Sequence, residues 1–475
     1  MEKSNLKEVF KSPANEEEGL MLLEKCRNRS YDLESGRESL LDRERSFPRA
    51  NVDLAVKPFI TEALQKPKTP VQPCKQARLV SLDVFRGMTV AAMILVDFGG
   101  SSCSALNHSP WDGVTFADFV VPAFLFIVGV SLTLTLKHQA VEDKSKAAYN
   151  ILHRTLKILV LGLILQGGYI HGVKDLTYGV DLQFFRIMGV LQRIAIAYAI
   201  VAFFEVRSSA NSYMADANES FSGILRIYHC QCAAVFVLIA IYLGLLYGIY
   251  VPDWQFELLD GNKSQMLEIN CNIRGSMSPG CNAVGYVDRL ILGISHLYKR
   301  SAYRRTQECS VNSPLSGPLP INAPAWCEAP FDPEGLLSTI PAIVTCFIGA
   351  HYGHVLLHMK GPKRQLWHWT ASGFILMFLG LLLNAAGMPL NKQLYTVSYM
   401  FVTTGIVALA FTATFVLVDI YKWRSSTAFF KWVGMHSLMI YALLASDLLP
   451  ILLQGFYWRR PDNNLIQILL RGLGF

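Results

Sequence analysis

The sequence predicts an all-α fold: a polytopic membrane helix bundle of about nine to ten transmembrane helices with one long luminal loop. Three observations predict it. Only 17% of the 475 residues are charged, against about one-quarter in a soluble domain. Apolar residues come in runs of about 20, the length a helix needs to cross the hydrocarbon core. Lys and Arg are divided unevenly between alternate short loops, as membrane topology requires.

Residues 1–78 hold no such run. They are rich in Glu, Lys, Arg, Ser and Pro and read as a disordered cytosolic tail. No apolar signal segment opens them. Glu18-Gly-Leu-Met-Leu22-Leu23 resembles an acidic dileucine sorting signal, though it also fits one turn of a transient amphipathic helix. A first block, residues 79–251, holds five spans near 79–98, 117–136, 151–170, 184–205 and 230–251, with a short loop at 99–116. Residues 252–333 form the long luminal loop. A second block, 334–449, holds spans near 334–356, 367–386, 395–420 and 429–449. Residues 450–475 read as a luminal loop and a final segment that stops short of a tenth span.

The net charge of +7 does not point to nucleic acid, because the positive charge sits mostly in short loops between apolar runs. The loops at 137–157, 205–229, 356–366 and 421–431 together hold 13 Lys and Arg; those at 99–116, 167–184, 386–394 and 450–462 hold 4. The first set is expected in the cytosol with the N-terminus, and the second in a lumen. Four of the ten cysteines, Cys271, Cys281, Cys309 and Cys327, fall in the long loop on the luminal side. Two disulfides are expected there, with three connectivities open. The same placement makes Asn262-Lys-Ser a usable glycosylation sequon. CxxC is absent and no metal is expected.

Charged side chains inside a span cost free energy and mark function or pairing. Span one carries Asp83, Arg86 and Asp97 within about a 60° sector of the helix. Asp83 and Arg86 are spaced to pair, and Asp97 lies roughly 21 Å further toward the lumen. Span four carries Arg186 and Arg193 on one face, beside Gln192 and with no carboxylate between them. They suit an anionic ligand such as a diphosphate, or pairing with Asp97 or Asp118.

The first luminal loop runs Asn107-His108-Ser-Pro-Trp111-Asp112-Gly113-Val-Thr115-Phe-Ala-Asp118. A histidine next to carboxylates at a membrane boundary is equipped as a general base. The same residues also fit a capped loop with an exposed His108 and Trp111 as an interface anchor. His351, His354 and His358 share a face at the end of span six and read as an interfacial stripe. His436 and Asp447 share a face of span nine.

Several stretches, in this order, resemble the heparan-α-glucosaminide N-acetyltransferase family of transmembrane acyltransferases. They are Arg78-Leu-Val-Ser-Leu-Asp83-Val-Phe-Arg86-Gly87, Asn107-His108-Ser-Pro-Trp111-Asp-Gly113, Ala117-Asp118-Phe-Val-Val-Pro122 and Gly189-Val-Leu-Gln192-Arg193. Gly285-Tyr-Val-Asp288-Arg289, Phe331-Asp-Pro-Glu334-Gly335 and Pro389-Leu-Asn391-Lys392-Gln-Leu-Tyr395 follow. The resemblance runs from about Arg78 to Asn464. It implies acetyl transfer from cytosolic acetyl-CoA to a terminal glucosamine in the lumen, in a lysosomal or vacuolar membrane.

The family's catalytic histidine corresponds to His108. Asp97 stands where the family has an asparagine, which exchanges a donor and acceptor for an acceptor alone. On this resemblance the family's last span is expected to be missing after residue 475, and the tail 1–78 is expected in place of the luminal domain of some animal members.

On this resemblance Asp97 and His108 are the expected catalytic pair, His108 as general base or as acetyl acceptor. Arg86, Arg186, Arg193 and Lys392 are expected near the acetyl-CoA phosphates. Asn107, Trp111, Asp112, Asp118 and Glu334 are expected around the substrates. The expected partners are membrane lipid and an amino-sugar or glycan acceptor, with homodimerisation left open. A polytopic transporter or scaffold and a catalytically inactive relative are the competing readings.

Overall fold

The computed structural model describes residues 79–100, 104–142, 144–167, 185–212, 221–260, 263–298, 302–359, 361–446 and 448. The tail 1–78, the sequon at Asn262, Asp447 and residues 450–475 lie outside the described residues.

Each predicted apolar stretch coincides with a helix. These are α1 (Val80–Gly99), α2 (Val120–Glu142), α3 (Lys144–Gly167), α4 (Val190–Ser212), α5 (Phe221–Ile227) and α6 (His229–Gly248). After the long loop come α8 (Leu336–His358), α9 (Pro362–Ala385), α10 (Val397–Phe415), α11 (Ala428–Met435) and α12 (Ser437–Ala445). The fold is thus a polytopic helical membrane protein. Among the described residues six helices are long and apolar enough to cross a membrane, or seven if the bent pair α11–α12 is one span. Helix α1, with Asp83, Arg86 and Asp97, falls outside the six and packs among the others.

Two expectations need correction. The ninth span is broken: α11 and α12 meet at His436 with a bend of 69°. The helical phase is lost there, and the face expected for His436 together with Asp447 falls outside the described residues. Arg186 is not on the fourth helix, because α4 begins at Val190 and residues 185–189 are non-helical.

Close helix approach depends on glycine. A Cβ on Gly129 of α2 would lie 2.1 Å from the Cys346 carbonyl oxygen of α8, and one on Gly349 would meet the Phe126 carbonyl oxygen at 2.2 Å. Such small-residue seams let helices pack where lipid removes the hydrophobic drive between them.

The 252–333 segment carries two hairpins and α7 (Ala283–Leu292). The hairpins pair β1 (Tyr250–Val251) with β4 (Ile273–Arg274), and β2 (Trp254–Asp260) with β3 (Lys263–Ile269), both antiparallel. Of the three cysteine connectivities the fold adopts Cys271–Cys281 and Cys309–Cys327. The buried core is continuous from this segment into the bundle: Trp111, Tyr303 and Phe331 pack with Leu337, Tyr395 and Tyr399.

Helix α8 is capped from α7. The fully buried Asp288 accepts the Leu336 N–H at 2.8 Å through Oδ1, while Oδ2 meets no donor among the described residues. Burial, helped by the neighbouring Asp332, raises its pKa to about 7 from 3.8. Between those values the folded protein holds a proton that the unfolded chain has released, so stability falls as pH rises through that window. The thermal midpoint in detergent is therefore expected to fall from pH 5 to pH 8. Asp288→Asn should flatten that slope, and an unchanged slope would refute the assignment.

Candidate active site

The site is built where the hairpin between α1 and α2 meets the 252–333 segment and the connection between α9 and α10. Local chemistry shapes the hairpin. Thr115 starts a 3-10 turn at Phe116–Phe119, and its N–H donates to Asp118 Oδ2 at 3.0 Å, the return half of a capping box. The Thr115 hydroxyl shares its one proton between the Asn107 carbonyl at 2.6 Å and Asp118 Oδ2 at 3.0 Å, which closes the loop on itself. Gly113, at φ 104°, takes a backbone conformation open to glycine, and its N–H donates to the Leu390 carbonyl at 2.8 Å. Beside it Asp112 accepts from Asn391 Nδ2 at 3.3 Å. Burial raises the Asp112 carboxyl above its usual value, with Asn391 opposing.

His108 stands at the centre. Its Nδ1 is 2.8 Å from Asp118 Oδ1, and Asp118 has no exposed surface. The other oxygen, Oδ2, also takes the Ser109 N–H and the Thr115 hydroxyl. A carboxylate so placed assigns the Nδ1–H tautomer and leaves Nε2 as the basic nitrogen. The Asp118 main-chain carbonyl accepts the Tyr399 hydroxyl at 2.6 Å, which ties the turn to α10.

Lys392 lies over the imidazole. Its Nζ is 2.8 Å from Nδ1, 3.1 Å from Nε2 and 3.6 Å from Asp118 Oδ1. An ammonium at those two ring distances cannot lie in the ring plane without overlapping Cε1. It sits over the face and leaves the in-plane lone pair of Nε2 open. The turn that presents Lys392 holds Tyr395 at φ 53°, a left-handed conformation fixed by burial and a hydroxyl contact of 3.2 Å to Thr345.

Electrostatics favour a neutral imidazole. Burial, then Lys392 and Arg305, push the His108 pKa below its usual 6.5, against the pull of Asp118. Burial likewise lowers Lys392, with Asp118 and Glu334 opposing. Asp97 is within electrostatic reach of Lys392.

The long loop grips the hairpin at two points that sequence reasoning missed. Arg305 donates to the His108 carbonyl oxygen at 2.8 Å. The carbonyl of Met277, inside the Cys271–Cys281 loop, accepts the Trp111 indole N–H at 3.1 Å. The Trp111 ring packs on Tyr303 and Phe331 rather than standing alone as an anchor. Asn107 turns its side-chain oxygen back to the His108 N–H at 2.9 Å.

The arginines have partners the sequence did not suggest. Arg186 is held by Asp332, at 2.9 and 2.6 Å, and by Glu334 at 2.6 Å, instead of Asp97 or Asp118. Burial works against the Arg186 cation, but the two carboxylates more than offset it and raise its pKa. Burial raises Asp332, whereas Glu334 is held low by Arg186, Arg193 and Lys392. Arg193 donates to the Pro333 carbonyl at 2.9 Å and to Ser338 Oγ at 2.6 Å, and lies over the Tyr395 ring. Arg86 pairs with Asp83 at 3.3 Å, away from this cluster near the start of α1.

The histidine stripe of α8 is also engaged. His354 Nε2 is 2.9 Å from Glu205 and its ring stacks on Tyr228, whose hydroxyl meets His358 at 3.0 Å. No cluster suited to a metal occurs among the described residues.

Asp118→Asn removes a buried charged acceptor from four donors. A loss of about 2 kcal/mol is expected, read as a lower thermal midpoint in detergent. An unchanged midpoint would contradict the role given to this carboxylate.

Residues 78–242 match the sequence model described as "Heparan-alpha-glucosaminide N-acetyltransferase, catalytic". A human protein named heparan-alpha-glucosaminide N-acetyltransferase is 29% identical over 401 residues, covering 82% of this chain and 55% of that protein. The mouse protein of the same name is 29% identical over 378 residues, covering 77% of this chain and 53% of its own. The chain thus spans about half the length of the curated relatives it matches. The resemblance is shown: residues 78–242 are similar to the catalytic region of the heparan-alpha-glucosaminide N-acetyltransferases.

Proposed function

We propose that this chain is a membrane acetyltransferase that moves acetyl from acetyl-CoA to an amino sugar, with His108 as the general base. The carrying observation is the His108–Asp118 contact of 2.8 Å with Nε2 left open beneath Lys392. A buried carboxylate fixes the ring's tautomer and orientation and stabilises the imidazolium that forms on proton transfer. The lowered pKa favours the unprotonated imidazole that a general base requires. The names of the matched relatives supply the reaction class and the glucosaminide acceptor.

The residues at the site fit the donor in a specific way. Gln192, with both side-chain amide atoms buried, has no hydrogen-bond partner among the described residues, nor do Arg193 Nε and Gln393 Oε1. These are neutral and cationic groups around α4 and the Lys392 turn. They suit the amide groups of a pantetheine arm, which both donate and accept. Arg193 remains a cation toward the donor. Arg186, already matched by two carboxylates, would have to share its charge with a phosphate. Acetyl-CoA supplies the activated thioester; the chain's residues orient it and handle the proton.

Topology completes the reading. The Lys and Arg bias supports a luminal side for the hairpin, the Lys392 turn and the disulfide-bearing segment, and the family resemblance supports a lysosomal or vacuolar membrane with donor entry from the cytosol.

The test is acetylation of glucosamine from acetyl-CoA by membranes containing the full chain. Wild type should be active, and His108→Ala should lose at least about 100-fold in kcat at unchanged expression. The acid limb of kcat/KM should lie below pH 6.5, the usual histidine value. An inactive wild type would overturn the enzyme reading, and an active His108→Ala would remove the imidazole from it.

A further inference from the structure

Asp97 leaves a gap in the chemistry. Acyl transfer from a thioester passes through a tetrahedral adduct whose carbonyl oxygen becomes negative, and a donor must be waiting for it. An ionised carboxylate accepts hydrogen bonds and cannot serve. The second cation of the site, Arg305, directs Nη1 to the His108 main-chain carbonyl. Tyr399 spends its hydroxyl on the Asp118 carbonyl.

Lys392 has the required placement. Its ammonium is 3.1 Å from His108 Nε2, the nitrogen left facing the substrates, and lies over the ring rather than on that lone pair. Only 13% of its side chain is exposed, so a charge forming beside it is weakly screened. Asp118 at 3.6 Å and Glu334 favour the ammonium, against burial, which lowers its pKa. The left-handed Tyr395 fixes the turn that carries it, so little reorganisation is needed during the reaction.

We propose that Lys392 is the oxyanion-stabilising catalytic residue: its ammonium holds the carbonyl oxygen of the tetrahedral adduct formed beside His108. The proposal rests on the acetyltransferase reading. The acceptor amine attacks the thioester carbon and the N–C bond forms. The carbonyl π pair moves onto oxygen, which accepts a hydrogen bond from Lys392 Nζ. His108 Nε2 takes one amine proton. The oxygen pair then re-forms the carbonyl, the C–S bond breaks, and His108 returns the proton to the departing thiolate.

The test compares two CoA–glucosamine bisubstrate probes in purified full-length protein. One carries a neutral amide at the acetyl carbon, the other a charged tetrahedral phosphonamidate. Wild type should bind the phosphonamidate at least about 100-fold more tightly. Lys392→Gln should abolish that preference while holding the amide probe within a few-fold, and should lower kcat by about 100- to 1,000-fold. Lys392→Arg, which keeps the charge, should recover part of both. Retained amide-probe binding shows that each variant is folded. Equal losses for both probes would make Lys392 a ground-state or phosphate contact, and an unchanged preference would remove it from catalysis; either overturns the proposal. An inactive wild type would instead sink the acetyltransferase reading itself.

Discussion

A carboxylate sealed from water is stable when donors surround it, and Asp118 gathers its donors from the hairpin that it anchors. Two main-chain N–H groups, a hydroxyl and an imidazole converge on its two oxygens. Everything else at the site follows from that convergence. The 3-10 turn starts α2, the Thr115 bond shapes the loop, and the imidazole is left with one nitrogen facing outward. The Tyr399 hydroxyl then carries the same turn onto α10. A carboxylate that neutralises donors on four nearby groups has no lower-energy arrangement in an apolar setting.

From this anchor a line of alternating charge extends through the bundle. Arg305 and Lys392 flank the imidazole, Glu334 follows within reach of Lys392, and Arg186 with Asp332 closes the line near the start of α8. Asp288 caps α8 beside it. The segment at 252–333 therefore belongs energetically to the site. It supplies Arg305 and Met277 to the hairpin and Asp332 to Arg186, and its Cys271–Cys281 disulfide closes the loop that carries Met277.

Much of the fold was legible because helices crossing lipid announce themselves by run length, and eight of the nine predicted runs each fall on a single helix while the ninth falls on two. The break at His436 was passed over because the stretch 429–449 has the length of one span, although Gly434 and the polar His436-Ser437 mark the corner. Arg186 was read as helical because Phe185, Ile187 and Met188 extend the apolar run past the real start of α4.

Local site chemistry could be read more finely than it was. Thr115 and Asp118 have capping-box spacing, which by itself places that carboxylate back over the loop. The partners of Arg186 lie 146 and 148 residues away, and Lys392 lies 284 residues from His108. No local pattern in one sequence encodes such meetings. They are set when helices pack, and the grip of Arg305 and Met277 is of the same kind.

The central claim is that Asp118 acts on the chemistry through His108 and not by a separate route. A double-mutant cycle in kcat tests it most directly, using His108→Gln, Asp118→Asn and the pair in membranes at pH 7. Each single variant should be strongly impaired, and the double variant should be no slower than His108→Gln alone. Losses that multiply would show two independent contributions and contradict the account.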